Sequence, residues 1–190
     1  IFSETKFKRA SSFSSVEFFK SASFVAANFN SEIDFVEAKF YGIAFFQTSS
    51  FIKNARFIHA IFHKDAYFHS VNMKETFLLS ACEAKGFAIK MHRIDKESLK
   101  SLAFTPLELP MISFLYCDWP DRLHSETDRQ DSSRYYLSNE QLYRAMKQRA
   151  AGEHDQPQVS RWHFREKLMQ LKALLNNQRS NDLIEVVEDR

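Results

Sequence analysis

The stretch FVAANFNSEIDF, residues 24–35, places phenylalanine at Phe24, Phe29 and Phe35, five and then six positions apart. An amphipathic helix repeats its apolar residues every three or four positions, and a half-buried strand repeats them every second position. The alternation of five and six fits neither element. It indicates a repeating unit with a period of its own.

The same alternation continues on both sides of this stretch without a break. The residues that carry it, called here the anchors, are Phe2, Phe7, Phe13, Phe18, Phe24, Phe29, Phe35, Phe40, Phe46, Phe51, Phe57, Phe62, Phe68 and Met73. Mostly small residues stand two positions before these: Thr5, Ser11, Val16, Ala22, Ala27, Ile33, Ala38, Ala44, Ser49, Ala55, Ala60, Ala66 and Val71. Repetition at a fixed spacing is typical of a solenoid, in which each unit packs on its neighbours. Each unit therefore supplies one large and one small inward side chain.

The repeat resembles the pentapeptide-repeat family, and most of all its Phe-centred subgroup with an eleven-residue double unit. The resemblance implies a mainly β fold, a right-handed quadrilateral β-helix in which each unit forms one side and four units form a coil. Steps of five, six, five and six then give a 22-residue coil. The expected interior columns are Phe2, Phe24, Phe46 and Phe68; Phe7, Phe29, Phe51 and Met73; Phe13, Phe35 and Phe57; and Phe18, Phe40 and Phe62.

The pattern weakens over residues 74–98. Leu79, Ala84, Ile89 and Ile94 continue it there, although a short helix from Asp95 is an open alternative. A spacing of five then returns in Leu99, Phe104, Leu109, Phe114 and Trp119. Prolines at 106, 110 and 120 are predicted at corners, because proline cannot donate to a strand ladder.

The two cysteines, Cys82 and Cys117, stand on the small inward position, which predicts buried and unreactive thiols. Two cysteines are too few for a disulfide scaffold and are typical of a reducing, cytoplasmic setting. The chain begins at Ile, which predicts that it is a piece of a longer protein.

The composition divides the chain into a repeat domain over 1–120, a polar linker over 121–136 and a helical segment over 137–190. Ser138 and Gln141 form a capping box that predicts the start of a first helix, and GEHDQPQ ends it. A longer helix is expected from about Gln158, and Asn181 is expected to cap a short last one. The longer helix carries one apolar face with Trp162 beside it: Phe164, Leu168, Leu171 and Leu175.

This helical segment also resembles the segment that follows the solenoid in the same subgroup. The matching residues are Leu142, Tyr143, Arg144 and Lys147 in the first helix, and Phe164, Arg165, Glu166 and Lys167 in the second. The resemblance carries no established chemistry. It implies a C-terminal α-helical hairpin.

No catalytic, cofactor or metal motif stands out in the sequence. It contains no Gly-rich phosphate loop and none of the common zinc or nucleophile signatures. The seven histidines are His59, His63, His69, His92, His124, His154 and His163. On a 22-residue coil His59 stacks on Glu37 and His63 on Tyr41, so no metal cluster is predicted. A filled solenoid offers no concave active site, and we expect no enzyme.

The net charge of the chain limits the kinds of partner that it is expected to bind. The net charge is +2, and residues 1–117 carry 14 Lys or Arg against 11 Asp or Glu. Direct nucleic-acid binding is not expected from so small an excess. Some relatives mimic DNA and bind topoisomerases through an acidic wall, which this charge disfavours. The leading interpretation is a protein-interaction or scaffold module. DNA mimicry is one alternative, and a cytoplasmic regulatory domain of a membrane protein is another, although no apolar run here is long enough to cross a bilayer.

One outer corner is predicted to be the interaction surface. Phe19, Tyr41 and His63 directly follow the anchors of one wall, and Phe45 and Tyr67 precede those of the next, with Ile61 nearby. The equivalent outward sites on the wall of Phe7, Phe29 and Phe51 are more polar. They are Lys8, Asn30 and Ile52 directly after these anchors, and Arg9, Ser31 and Lys53 one position later. A contiguous apolar patch is typical of an interface. The family resemblance also implies homodimers, and we expect the helices or a second copy to cover the solenoid end near Trp119.

Overall fold

A computed structural model describes residues 1–85, 89–127 and 132–188, with side chains described up to residue 178. It divides the chain into two units, Ile1–His124 and Ser125–Arg190. The strands of the first unit are β1 (Lys6–Phe7), β2 (Ser11–Ser12), β3 (Glu17–Phe18), β4 (Ala22–Ser23), β5 (Asn28–Phe29), β6 (Ile33–Asp34), β7 (Lys39–Phe40), β8 (Ala44–Phe45), β9 (Ser50–Phe51), β10 (Ala55–Ile58), β11 (Ile61–Phe62), β12 (Ala66–Tyr67), β13 (Asn72–Met73), β14 (Phe77–Ser80), β15 (Glu83–Ala84), β16 (Ile89–His92), β17 (Leu102–Ala103) and β18 (Ile112–Leu115).

These strands form four parallel sheets, one for each wall of a solenoid. Wall A is β1-β5-β9-β13, wall B is β2-β6-β10-β14-β17, wall C is β3-β7-β11-β15 and wall D is β4-β8-β12-β16-β18. Asn28 pairs with Ser50, and Ile61 with Lys39, so each residue lies beside its equivalent in the next coil of the predicted length. The predicted quadrilateral β-helix with a 22-residue coil is confirmed. Its right-handedness stays a prediction.

Stacked phenylalanine rings fill the interior as the spacing predicts. In the column of Phe2, Phe24, Phe46 and Phe68 the ring centroids are 5.0, 4.9 and 4.7 Å apart and nearly parallel. The other three columns stack in the same way, at 4.7–5.2 Å. From Phe24 to Phe68 every ring on the pattern is at most 1 % exposed. Small inward residues, mostly alanines, lie beside these columns and fill the space that the rings leave.

Two kinds of corner explain the alternation of five and six. The non-glycine residues with positive φ include Glu4, Ser15, Ala26, Glu37, Thr48, His59, Ser70 and Ala81, which recur once in every double unit. Each follows an anchor by two positions and lies within a five-residue step. The six-residue steps contain no such residue as far as Met73. A left-handed residue turns the chain more tightly, so that corner needs one residue fewer.

The register changes beyond β13, where the sequence pattern weakens. Ala66 pairs with Ile89, which makes the coil one residue longer, and Phe77 pairs with Leu102, which makes it three residues longer. The one extra residue of the first lengthened coil lies between Ala84 and Ile89. Residues 86–88 in this segment lie outside the described residues. Leu79 and Ala84 oppose Phe57 and Phe62 as predicted.

The predicted anchors Ile89 and Ile94 are wrong in register. Both are buried, but Ile89 opposes Ala66 on the small position, and Met91 takes the anchor site that follows Phe68. The extra residue in this coil moves the anchor by one position. Phe77 likewise stands on a small position, opposite Ala55, while the small Ala84 stands on an anchor position. The unit of β14 therefore has two large inward residues, Phe77 and Leu79, and the unit of β15 has two small ones, Cys82 and Ala84.

The predicted spacing of five through Leu99 and Leu109 is also wrong. Leu99 lies in helix α1 (Lys96–Ser101), and Leu109 begins a short 3₁₀ helix (Leu109–Met111). Both are buried. The alternative of a helix from Asp95 is confirmed, because the Asp95 carboxylate accepts a hydrogen bond from Ser98 N at 2.9 Å and caps α1. The three prolines lie outside strands, as expected.

Side chains complete the hydrogen bonding where walls A and C end. Met73 N in the last strand of wall A donates to Ser98 Oγ of α1 at 3.1 Å. The carboxylate of Glu108, 2 % exposed, accepts from Ala81 N at 2.8 Å and from Thr105 N at 2.8 Å. The buried Met73 N needs such a partner, whereas the hydrogen bonds from Ala81 and Thr105 are only partly buried. At this end of the solenoid, Ser98 of α1 and Glu108, which precedes the 3₁₀ helix, therefore supply acceptors from within the first unit.

The two thiols differ in their surroundings. Cys82 is buried, and its Sγ donates to Phe57 O at 2.6 Å. Burial raises the pKa of the Cys82 thiol to about 12, which keeps it protonated and unreactive. Cys117 is half-buried rather than buried, although its Sγ also donates to a backbone oxygen, that of Met91, at 3.0 Å. The prediction of two buried thiols therefore holds for Cys82 alone.

The second unit is a helical hairpin, as predicted. Helix α2 (Ser133–Gly152) and helix α3 (Gln156–Glu188) follow a 3₁₀ helix at His124–Glu126. Trp162 stacks on Tyr143 with ring centroids 5.7 Å apart. The Glu126 carboxylate is buried and accepts from Tyr143 Oη at 2.6 Å and from Arg165. Burial alone would raise the pKa of Glu166, but hydrogen bonds from Lys147 and Arg144 outweigh it and lower that pKa.

The helix boundaries differ from those expected. Ser132 rather than Ser138 caps α2, with its Oγ accepting from Tyr135 N at 3.2 Å, so Ser138 lies inside the helix. α3 runs through Asn181 to Glu188 with no separate last helix. The domain limits at 120 and 136 stay predictions, and residues 128–131 of the expected linker, like 189–190, lie outside the described residues. No described helix is both long and apolar enough to cross a bilayer.

Candidate functional site

The candidate site is the outer corner between walls C and D, formed by Phe19, Tyr41, His63, Phe45 and Tyr67 and called here the aromatic corner. The first three residues directly follow β3, β7 and β11. Phe19 stacks on Tyr41 at 5.3 Å, and Tyr41 stacks on His63 at 4.5 Å. This outer ladder exists because the 22-residue register that stacks the inner rings also stacks the residues after them. Phe19, at its first rung, is 73 % exposed.

Phe45 and Tyr67 form a second ladder on the outer face of wall D. They occupy paired positions in β8 and β12, and their rings stack at 5.7 Å. Lys90 continues the ladder, with its Nζ 4.7 Å from the centroid of the Tyr67 ring and 2.6 Å from Asp65 Oδ2. The hydrogen bond to Asp65 raises the pKa of Lys90. A cation therefore ends the aromatic ladder of wall D.

A pair of stacked histidines lies next to this ladder. The rings of His69 and His92 are 4.6 Å apart and nearly parallel, and Tyr67 meets His69 edge-on at 5.3 Å. His92 Nε2 lies 3.2 Å from Ser113 Oγ. Burial lowers the pKa of both histidines, and Lys90 lowers both further, so the pair is neutral at pH 7. This outer face is uncharged at the histidines and cationic at Lys90.

The outer faces of walls A to C carry paired charges instead. Lys39 Nζ lies 2.9 Å from Glu17 Oε1, Arg56 Nε 2.5 Å from Asp34 Oδ1 and Lys53 Nζ 2.6 Å from Glu75 Oε1, in each case one coil apart. These hydrogen bonds to carboxylates raise the pKa of each basic group. Exposed pairs of this kind add little stability. The negative charges of Glu17, Asp34 and Glu75 are each balanced by a Lys or Arg one coil away.

The sequence named the five aromatic-corner residues, and the structure places each where the coil pattern expects it. The two ladders are formed, and Ile61 is half-buried in β11. Sequence reasoning missed the pairing of His69 with His92 and of Lys90 with Tyr67. Both pairs lie in the lengthened coil, so a strict 22-residue count does not align them. Among the described residues, no group of His, Cys, Asp or Glu has the arrangement of a metal site.

Comparison with known protein families agrees with this architecture. Residues 27–72 match the model for pentapeptide repeats, in 9 copies. Residues 27–72 of the solenoid therefore carry pentapeptide repeats. The matched residues span the coils that carry Tyr41, Phe45, His63 and Tyr67. No curated protein and no solved structure matches the chain.

Proposed function

We propose that this pentapeptide-repeat protein is a non-enzymatic interaction module that docks a protein partner on the aromatic corner. The observation that carries the proposal is the Phe19 ring, 73 % exposed at the first rung of a ladder with Tyr41 and His63. An aromatic ring costs free energy when it is left in water and supplies a large contact area with little side-chain entropy to lose. Aromatic residues are enriched in interface cores.

The surroundings of the corner define the chemistry of this partner. Lys20 and Lys64 directly follow Phe19 and His63 and are exposed. Lys90, at the end of the second ladder, is already paired with Asp65, so the basic rim rests on Lys20 and Lys64. A partner with an apolar centre and an acidic rim is complementary to these residues. A second copy of the chain, as the family resemblance implies, is the homodimeric form of the same proposal.

DNA mimicry is the weaker alternative. It requires a continuous acidic surface, whereas Glu17, Asp34 and Glu75 are each bound to Lys or Arg one coil away. The excess of basic residues over 1–117 points the same way. We propose a cytoplasmic location because Cys82 and Cys117 are free thiols, which a reducing compartment maintains. A regulatory domain of a membrane protein is a special case of an interaction module.

Site-specific photocrosslinking tests the docking surface. A benzophenone side chain at position 19 is expected to give an adduct of defined mass in native lysate. The same group at Ile52, the equivalent site after wall A, is expected to give none. Tyr41→Asp combined with Phe45→Asp should remove the adduct, while Asn30→Asp combined with Ile52→Asp should not. Equal adduct yields at positions 19 and 52 would show that the corner is an ordinary wall. An adduct of twice the chain mass identifies the homodimer.

A further inference from the structure

Helix α3 carries two apolar faces, and only one of them is buried in the hairpin. Trp162, Met169 and Ala173 are at most 6 % exposed and lie on the side that packs against α2. Phe164, Leu168, Leu171 and Leu175 repeat at four, three and four positions, which places them within about 60° of one another on the helix. Phe164 is 65 % exposed, Leu171 53 % and Leu175 49 %. The sequence predicts this face but sets Trp162 beside it, whereas Trp162 lies on the opposite side.

The four residues form a ridge, called here the α3 ridge, about 16 Å long at 1.5 Å per residue. Basic residues lie along both of its borders, together with the uncharged Ser160 and Gln178 on the Lys167 side. At about 100° per residue, Arg161 and Lys172 flank one side of the ridge and Lys167 flanks the other. The only acid between residues 156 and 178 is Glu166, which is 3 % exposed and bound to Lys147 and Arg144. A second copy placed on the ridge would therefore bring Lys and Arg against Lys and Arg.

We propose that the α3 ridge binds an anionic lipid surface. A helix that lies in the membrane interface has an apolar face of Phe and Leu with Lys or Arg along its borders, and its aliphatic side chains enter the acyl boundary. The exposed Lys167 is placed to reach the phosphate headgroups, whereas Lys172 Nζ lies 4.0 Å from Glu126 Oε1 and Arg161 lies over the Trp162 ring. A bilayer surface also accommodates a convex ridge, whereas a protein partner needs a matching groove. The ridge belongs to the second unit and shares no residue with the aromatic corner.

Vesicle co-sedimentation with the full chain tests the proposal. The chain should sediment with vesicles of phosphatidylserine and phosphatidylcholine and remain in solution with phosphatidylcholine alone. Leu171→Glu should weaken binding about tenfold or more, since it places a charge in the apolar face. The matched control is Leu137→Glu on α2, a leucine of similar exposure at 49 %, which should bind like the wild type. Lys167→Glu should weaken binding and reduce its dependence on salt.

Circular dichroism of each variant separates loss of binding from loss of fold. The proposal holds if Leu171→Glu keeps its helix content and loses vesicle binding while Leu137→Glu keeps both. It is overturned if the wild type does not sediment with the anionic vesicles, or if both leucine variants bind equally. Recovery of an acidic protein on the ridge without vesicle binding would also overturn it, because the basic borders would then serve that protein. The crosslinking result at Phe19 is independent of all these outcomes.

Discussion

Residues 1–72 and residues 73–124 form one solenoid but stabilise it in different ways. In the first part the register follows a constant 22-residue coil, and like side chains stack on like in every column. In the second part the coil lengthens, by one residue in wall D and by three in wall B, and the alternation of one large and one small inward residue is lost in β14 and β15. Ser98 and Glu108 there accept hydrogen bonds that a further strand would otherwise accept. The first part is therefore stabilised by repeated stacking of like side chains, and the second part by single side chains such as Ser98 and Glu108.

The largest expected effect is in the repetitive part. Phe46→Ala should lower the free energy of unfolding by about 3–5 kcal/mol, because it leaves a cavity between two stacked rings. Phe46 is fully buried, with Phe24 and Phe68 at 4.9 and 4.7 Å. Chemical denaturation measures the loss. The control, Phe19→Ala, removes an exposed ring and should change stability by less than about 1 kcal/mol. Similar losses for the two variants would contradict a core of stacked rings.

A smaller loss is expected at the closed end of the solenoid. Glu108→Ala should cost about 1.5–3 kcal/mol, since it removes two partly buried hydrogen bonds, from Ala81 N and Thr105 N, to a buried carboxylate. Denaturation and hydrogen exchange at the Ala81 amide measure it. The exposed Glu83 in β15 provides the control, and Glu83→Ala should be close to neutral. An unchanged exchange rate at Ala81 in Glu108→Ala would show that the carboxylate does not hold that end.

The two parts also differ in how far the sequence predicts them. Thirteen steps that alternate regularly between five and six residues specify the walls. A shift of register by one residue would turn a full row of phenylalanines outward. Beyond Met73 the inward side chains include Ile, Phe, Ala and Cys, and an extra residue in a corner moves every later position. Ile89 and Met91 are then both plausible anchors, and only strand pairing distinguishes them. The cap of α1 was visible at Asp95, but the role of Glu108 depends on a contact with Ala81, which is distant in sequence.

The candidate site was predictable to the same extent. The coil length places Phe19, Tyr41 and His63 in one ladder directly, and Phe45 and Tyr67 in another. It does not place His92 on His69 or Lys90 on Tyr67, because both pairs cross the extra residue of the lengthened coil. In the hairpin, a face of Phe and Leu is visible in the sequence. The sequence does not show which side of α3 faces the rest of the hairpin. That side is fixed by Trp162 stacking on Tyr143 and by Arg165 donating to Glu126. Lys147 donating to Glu166 fixes it further.

The histidine pair predicts a loss of stability in mild acid. The folded-state pKa of His69 and His92 is lowered by burial, and Lys90 and Arg93 contribute to the effect at His69. The unfolded chain therefore binds protons first, from a pKa of about 6.5. Their contribution is complete above that pH and is lost as the pH falls towards 5. The melting temperature of the wild type should fall over this range.

Glutamine substitution isolates the histidine contribution. Gln47 occupies the site one coil before His69, so His69→Gln fits the wall. His69→Gln combined with His92→Gln should flatten the dependence of melting temperature on pH between 7 and 5. Asp95 does not interfere, because hydrogen bonds from Ser98 outweigh burial and lower its pKa, which moves its titration to stronger acid. An equal slope in the double variant and the wild type would assign the pH dependence to other groups.

The smallest effect concerns the tight corners that produce the five-residue steps. Thr48 has φ of 56°, a conformation in which a β-branched side chain is crowded and which asparagine adopts readily. Thr48→Asn should therefore raise the free energy of unfolding by about 0.5–1 kcal/mol. Thr48→Gly should gain less, because glycine has more entropy to lose on folding. Ser50→Asn, two positions later in β9, is the control and should not stabilise, since that residue pairs in an extended strand. Thermal denaturation resolves the three variants. If Thr48→Asn were destabilising while Ser50→Asn was neutral, the left-handed corner at Thr48 would not be strained.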